Sequence, residues 1–186
     1  NEFLKFKDGE LDMLSGIDAT YKDELLTPNG KLKPEWEATT TLLRSPYLNT
    51  EYLGFMMNDS LQKNEALKKR DVRRAINYAI DRQKIITYLH NGIGTPATSG
   101  FVPPALPSFD SLRVRGYHYD PKKAAKLLAK AGYPDGKNFP PLSLETNETY
   151  KDIAIMVQKS LSEIGIPVQI QLNPPALLRE KMSKGE

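Results

Sequence analysis

The chain has 186 residues, 39% of them hydrophobic, which suits an ordinary globular core and either one domain or part of a larger one. Lys and Arg total 26 against 23 Asp and Glu, and the resulting net charge of +3 does not by itself argue for a polyanionic partner. There is no Cys, so disulfides, thiol catalysis and thiolate metal sites are excluded. No apolar run is long enough to span a bilayer, and no signal-peptide pattern is present.

In chain order, Glu2-Phe3-Leu4-Lys5-Phe6 reads as a short strand or the start of a helix. Thr27-Pro28-Asn29-Gly30 is a turn by composition, and Pro34-Glu35-Trp36 opens a helical turn with Pro at its first position. Trp36, the only Trp, reads as a packing residue rather than a ligand-stacking one. Tyr52-Leu53-Gly54-Phe55-Met56-Met57-Asn58 is a compact apolar run of strand length, apolar on both faces, which predicts a central, covered strand.

Asp71 to Gly92 is the most strongly patterned stretch. Val72, Ala75, Ile76, Ala79 and Ile80 recur at three- and four-residue steps, and Ile85, Ile86 and Leu89 extend the stripe. Asp71 is placed to cap the helix, Asp81 to cap a second helix if the chain bends there, and Gly92 to end it. The expectation is one kinked helix or two short ones. Lys68, Lys69, Arg70, Arg73 and Arg74 form a basic cluster that reads as a solvated face in preference to a nucleic-acid patch.

Residues 91–119 form a loop rich in Gly and Pro, too long for a plain connector and therefore a candidate functional segment. Phe101, Phe109 and Tyr117 give it aromatic surface. Asp120-Pro121 starts a helix whose inward face is Ala124, Leu127, Leu128 and Ala131, with Lys122, Lys123 and Lys126 facing water and Gly132 at the stop. Leu142 to Thr146 is a strand, Thr149 to Ile164 an amphipathic helix and Pro167 to Leu172 an alternating strand. Pro174-Pro175 opens a last helix. Strand, helix, strand at these spacings is an α/β unit with its strands parallel.

No catalytic constellation stands out. His90 and His118 are far apart and in no HxxxH or HExxH spacing, and no GxSxG, GxxxxGK[ST] or GxGxxG pattern occurs. Nothing points to an enzyme, a cofactor or a metal.

Several stretches together resemble the family 5 extracellular solute-binding proteins, receptors of oligopeptide, dipeptide and nickel ABC importers. They are Gly9-Glu10-Leu11-Asp12, Tyr52-Leu53-Gly54-Phe55, Val72 to Arg82, Gly94-Thr95-Pro96-Ala97, Phe101-Val102-Pro103-Pro104, and Asp120-Pro121-Lys122-Lys123-Ala124 running to Ala131-Gly132-Tyr133. The resemblance implies an α/β, periplasmic-binding-protein-like (type II) lobe fragment, a mixed sheet flanked by helices. Residues 1–48 would be the end of a neighbouring lobe and the hinge approach, with Gly9 to Met13 matching a strand, and residues 49–186 part of a second ligand-binding lobe.

By the same resemblance the piece is excised from a longer chain whose export signal or lipid anchor lies outside it, and the parent is periplasmic or at the cell surface and membrane-associated. It would capture peptides between two lobes by hinge closure and deliver them to ABC permease subunits. The alternatives are a receptor for a nickel chelate or another small solute, and a ligand-sensing domain of a transcription regulator. Asn58, Thr95, Phe101 and Pro103 would line the cleft. The carboxylate that grips a peptide's amino group would follow Lys184-Gly185-Glu186, so the isolated piece is expected to bind peptide no tighter than millimolar, and an open sheet edge would favour dimers.

Overall fold

The computed structural model describes residues 2–16, 21–57 and 64–185. The chain forms two compact units, Asn1–Tyr47 with Gln83–Pro96 and Leu48–Arg82 with Ala97–Glu186.

The first unit is built from short helices. Helix α1 (Glu2–Lys7), α2 (Lys22–Leu25) and α3 (Pro34–Glu37) bring Phe3, Leu25 and Leu26 into a small core flanked by half-buried Leu14, Tyr21, Leu32, Trp36 and Leu42. Residues 27–30 turn the chain so that Leu26 and Leu32 bridge antiparallel. Trp36 is a packing residue: its ring stacks near Phe6 with centroids 6.4 Å apart, and its Nε1 donates to the Glu24 carbonyl at 3.1 Å. Residues 9–13 form turns and bends, not the strand that the resemblance implied, because among the described residues no backbone pairs with them in ladder fashion.

The second unit is organised by α5 (Arg70–Ala79), preceded by one turn of helix, α4 (Glu65–Lys68), and packed on α7 (Pro121–Lys130). Val72, Ala75, Ile76 and Ala79 of α5 are buried, as are Ala124 and Leu128 of α7, and the alanines let the two backbones approach closely. The helix breaks at Ile80, whose extended backbone (φ −87°, ψ 117°) separates α5 from α6 (Arg82–Leu89). Arg82 holds the break: its guanidinium donates to the Asn77 carbonyl (3.0 Å) and to Asn77 Oδ1 (3.1 Å). Two short helices are thus observed, with one correction. Ile85, Ile86 and Leu89 are only half-buried, so the covered stripe belongs to α5. The stop is local, Asn91 (φ +48°) and Gly92 (φ +74°) both taking left-handed backbone, and Asn91 is fixed by Lys22 Nζ (2.7 Å) and Asp23 Oδ1 (2.9 Å) of its own unit.

Three further sequence expectations need correction. Asp71 lies inside the first turn of α5, and Lys69 occupies the cap position without a side-chain cap bond. Asp71 instead pairs with Arg74 (3.3 Å) and Lys130 (3.0 Å). The predicted strand at 52–58 is absent over its described part, 52–57: this segment joins no strand ladder, and Tyr52, Leu53 and Met57 are exposed. A strand exists only through a ladder of N–H and C=O groups from a partner segment, and no such ladder forms with it among the described residues. Finally, Lys123 does not face water but lies over the Tyr78 ring, 4.2 Å from its centroid.

Asp120 does cap α7, accepting from Lys123 N at 2.9 Å, with Pro121 at the first helical position. Strand β1 (Leu142–Thr146), helix α8 (Lys151–Ser162) and strand β2 (Val168–Leu172) follow, and β1 and β2 pair in parallel with Leu144 opposite Ile170. Helix α8 buries Ala154, Val157 and Leu161 against the pair, and α9 (Pro175–Lys184) ends the described chain. Gly136 and Gly165 meet backbone to backbone, locking the turn after α7 to the turn that leads into β2.

Candidate functional site

Because β1 and β2 are parallel, their carboxyl ends lie together, and that is where ligands collect in α/β sheets: the strands stop and the helix amides begin. A cavity of about 300 Å³ occurs at this place, lined by residues 147–149 after β1 and 172–175 after β2. Its base is well tied. Asn173 N donates to the Thr146 carbonyl at 2.7 Å, and Asn173 Nδ2 donates to Glu145 Oε2 at 2.7 Å. Lys181 of α9 reaches the same oxygen at 2.9 Å, and Ser143 Oγ donates to the other carboxylate oxygen at 3.0 Å. Burial pushes the Glu145 carboxyl up, but the hydrogen bonds from Lys181, Asn173 and Ser143, together with the Lys181 charge, outweigh it and hold the group below its ordinary value. At the mouth, Glu148 pairs with Lys151 at 2.8 Å, and this bond raises the Lys151 ammonium above its usual value. Asn147 Oδ1 is the exception in this network: it is buried and has no hydrogen-bond partner.

Another cavity, of about 440 Å³, lies in the first unit beside Trp36 and is lined by Lys7, Glu24 and Lys33 among others. Lys7 and Glu24 are already engaged with each other there at 3.2 Å, as is Trp36 Nε1 with the Glu24 carbonyl, and no buried polar atom of its lining is left unsatisfied among the described residues. The strand-end cavity is therefore the candidate site.

Of the residues expected to line a cleft, Phe101 is 60% exposed and sits against Tyr52, with ring centroids 4.7 Å apart. Thr50 Oγ1 donates to the Phe101 carbonyl at 2.9 Å and ties the loop to the extended segment. Pro103 is half-buried in the same loop, its carbonyl accepting from Leu106 N at 3.0 Å. Thr95 is exposed and belongs to the first unit. Asn58 lies outside the described residues. Asn147, Glu148, Thr149 and Asn173 were missed by sequence reasoning, although the parallel strand–helix–strand pattern, followed to its strand ends, marks their positions.

The basic cluster serves the fold. Lys68 pairs with Glu65 (2.8 Å), Lys69 Nζ donates to the Ala131 carbonyl (2.8 Å) and lies over Tyr133, and Arg73 donates to the carbonyls of Leu67 and Lys68. Among the described residues no group of three His, Cys, Asp or Glu side chains is placed to hold a metal, and no helix is long and apolar enough to cross a membrane.

The family model of the bacterial extracellular solute-binding proteins, family 5, matches residues 1–186. The chain belongs to this family. Heme-binding protein A of Haemophilus influenzae is 31% identical over 170 residues, covering 88% of this chain and 30% of the relative. The glutathione-binding protein GsiB of Salmonella choleraesuis is 35% identical over 129 residues, covering 69% of this chain and 24% of its own length. Among solved structures, the periplasmic binding protein AgaA of A. tumefaciens R10, in complex with agropinic acid, is 28% identical and matches with a TM-score of 0.69 over 99% of this chain and 34% of its own. The chain thus spans about a third or less of the proteins it matches. The lobe architecture of the periplasmic binding proteins, α/β with helices over the sheet, is the one observed. The family is one of binding proteins, not of enzymes.

Proposed function

We propose that this chain is part of the substrate-binding component of an ABC importer, and that the component captures peptides between two lobes that close by hinge motion. The observation that carries the reading is the strand-end cavity, with its unpaired acceptor, in a chain that belongs to a solute-binding family. Peptide is favoured because a main chain offers regularly spaced donors and acceptors to strand ends and edges, so that recognition tolerates many side chains. That GsiB binds glutathione, itself a small peptide, supports the same class.

In this reading residues 1–48 close the neighbouring lobe and hinge approach, and 49–186 supply part of the second lobe. Phe101 and Pro103 line its cleft, as do Thr95 and Asn58. The ligand drives closure only if it binds the closed form better than the open one. The receptor works outside the cytoplasm, held to the membrane by a signal or lipid anchor, and hands its ligand to permease subunits for transmembrane transport. The two outer edges of the β1–β2 pair give a route to dimers by strand addition.

Native mass spectrometry of the receptor carrying this chain, purified without denaturation, tests the proposal. A series of co-purified peptides that is lost on unfolding is the expected result. An empty receptor that also ignores an added peptide library, or one loaded with a metal chelate or a haem, overturns the peptide reading.

A further inference from the structure

The Asn and Asp side chains that begin two of the helices do the expected work. Asn64 Oδ1 accepts from Ala66 N at 3.1 Å, and Asp120 Oδ1 accepts from Lys123 N at 2.9 Å. Asn147 stands at the equivalent place, with the extended backbone of a cap residue (φ −118°, ψ 175°), where a helical turn leads into α8. Yet its side chain makes no cap bond, and the nearby Tyr150 N goes to the main-chain carbonyl of Asn147 at 3.2 Å instead. Its Oδ1 is shut off from solvent and is the only buried side-chain nitrogen or oxygen without a partner among the described residues. An acceptor in that state destabilises the fold unless something donates to it.

From the reading of the strand-end cavity as a ligand site, we infer that Asn147 is the receptor's acceptor for an amide N–H of the ligand main chain. Three features of the cavity fix this class. Pro174 and Pro175, which also line the cavity, have no N–H and cannot satisfy Asn147. Asn173, the nearest amide side chain on that strand end, already gives its Nδ2 to Glu145 and to the Gln171 carbonyl. The one carboxylate at the mouth, Glu148, is balanced by Lys151, so the local charge favours a neutral N–H over an ammonium group. The donor reaches Oδ1 by way of the cavity that Asn147 lines, after a turn of the amide about its last side-chain bond.

The test uses the receptor carrying this chain, labelled with ¹⁵N in its asparagine side chains, with the Asn147 signal assigned by its loss in Asn147→Asp. N-methylacetamide, which has an N–H, is compared with N,N-dimethylacetamide, which lacks one, and with methylammonium. The Asn147 signal is expected to move saturably with the first and to ignore the other two. In native mass spectrometry, Asn147→Leu is expected to carry about tenfold less peptide, the effect of one hydrogen bond in a closed site. Asn147→Asp, which keeps an acceptor, carries nearly the wild-type load.

A signal indifferent to all three probes means that only a trapped water fills the place, and overturns the inference. So does a signal that follows dimethylacetamide equally well. Movement with methylammonium alone replaces the amide by a cation. A loaded wild type with equally loaded Asn147→Leu overturns the inference and leaves the proposed function standing, whereas an empty wild type removes the proposed function while the probe comparison still decides the role of Asn147.

Discussion

Gly136→Ala is the substitution that the structure makes most costly outside the core. Gly136 has φ +71°, and an added Cβ would stand 2.0 Å from the carbonyl oxygen of Gly165, 2.4 Å from its carbonyl carbon and 2.5 Å from its Cα. Left-handed backbone in a residue with a Cβ costs about 1–2 kcal/mol. The overlap is with backbone, not with the end of a flexible side chain, so the two turns must part by more than an ångström. Phe139, Ile164 and Ile166, all buried beside these turns, lose packing as they do. Such displacement costs about 1–3 kcal/mol, for a sum of about 2–5 kcal/mol. Gly9→Ala is the control: φ is +74°, but nothing lies within 4 Å of the added Cβ, so only the conformational cost of about 1–2 kcal/mol applies. Urea titration distinguishes the two. Far-UV circular dichroism is weighted towards the long helices α5, α7 and α8 of the second unit, while fluorescence of Trp36 reports the first. Gly136→Ala should lower the circular-dichroism midpoint by about 1–2 M, given slopes of about 1–3 kcal/mol/M, and leave the Trp36 transition in place. A Gly136→Ala shift of the circular-dichroism midpoint no larger than the Gly9→Ala shift of the Trp36 midpoint would refute the close-approach reasoning.

Other expectations follow from single contacts. Asp120→Ala removes the α7 cap and should cost about 1 kcal/mol, seen as a lower midpoint that Asp120→Asn largely restores. Because Glu145 is held below its ordinary value, its contribution is present above the unfolded-state value of a glutamate and is lost as pH falls through the depressed folded one. The stability gap between wild type and Glu145→Gln should therefore be full at pH 7 and close on acidification; a gap unchanged down to pH 2 contradicts the Lys181–Glu145–Asn173 network. Asn147→Leu removes an unsatisfied buried acceptor and should raise the melting temperature of the empty protein even as it lowers ligand load, whereas an asparagine with a purely structural role would give a drop.

What could be read from the sequence was what is decided locally. The Asp120-Pro121 start of α7 needs only its own first turn, and β1–α8–β2 needs only a crossover long enough to bring the second strand beside the first, so both were legible. Asp71 was misplaced because the helix begins two residues before an Asp71 cap would start it, and Arg73 ties down the carbonyls of Leu67 and Lys68 just before α5, a contact no periodicity encodes. Residues 52–57 have the composition of a covered strand, but covering and pairing come from other segments, and composition cannot supply them. Lys123 looked like a solvated lysine because its partner is an aromatic face on α5, distant in sequence. The candidate site divides in the same way. Phe101, an aromatic in a long Gly- and Pro-rich loop, sits against Tyr52 and is not part of the strand-end lining, whereas Asn147 is distinguished only by a bond it fails to make.

Hydrogen exchange of the loaded and emptied receptor tests most directly whether ligand sits at the strand ends. The amides of residues 147–150 and 172–173 should exchange more slowly when ligand is present. Protection confined to other segments, such as the surroundings of Trp36 in the first unit, would contradict the placement of the site.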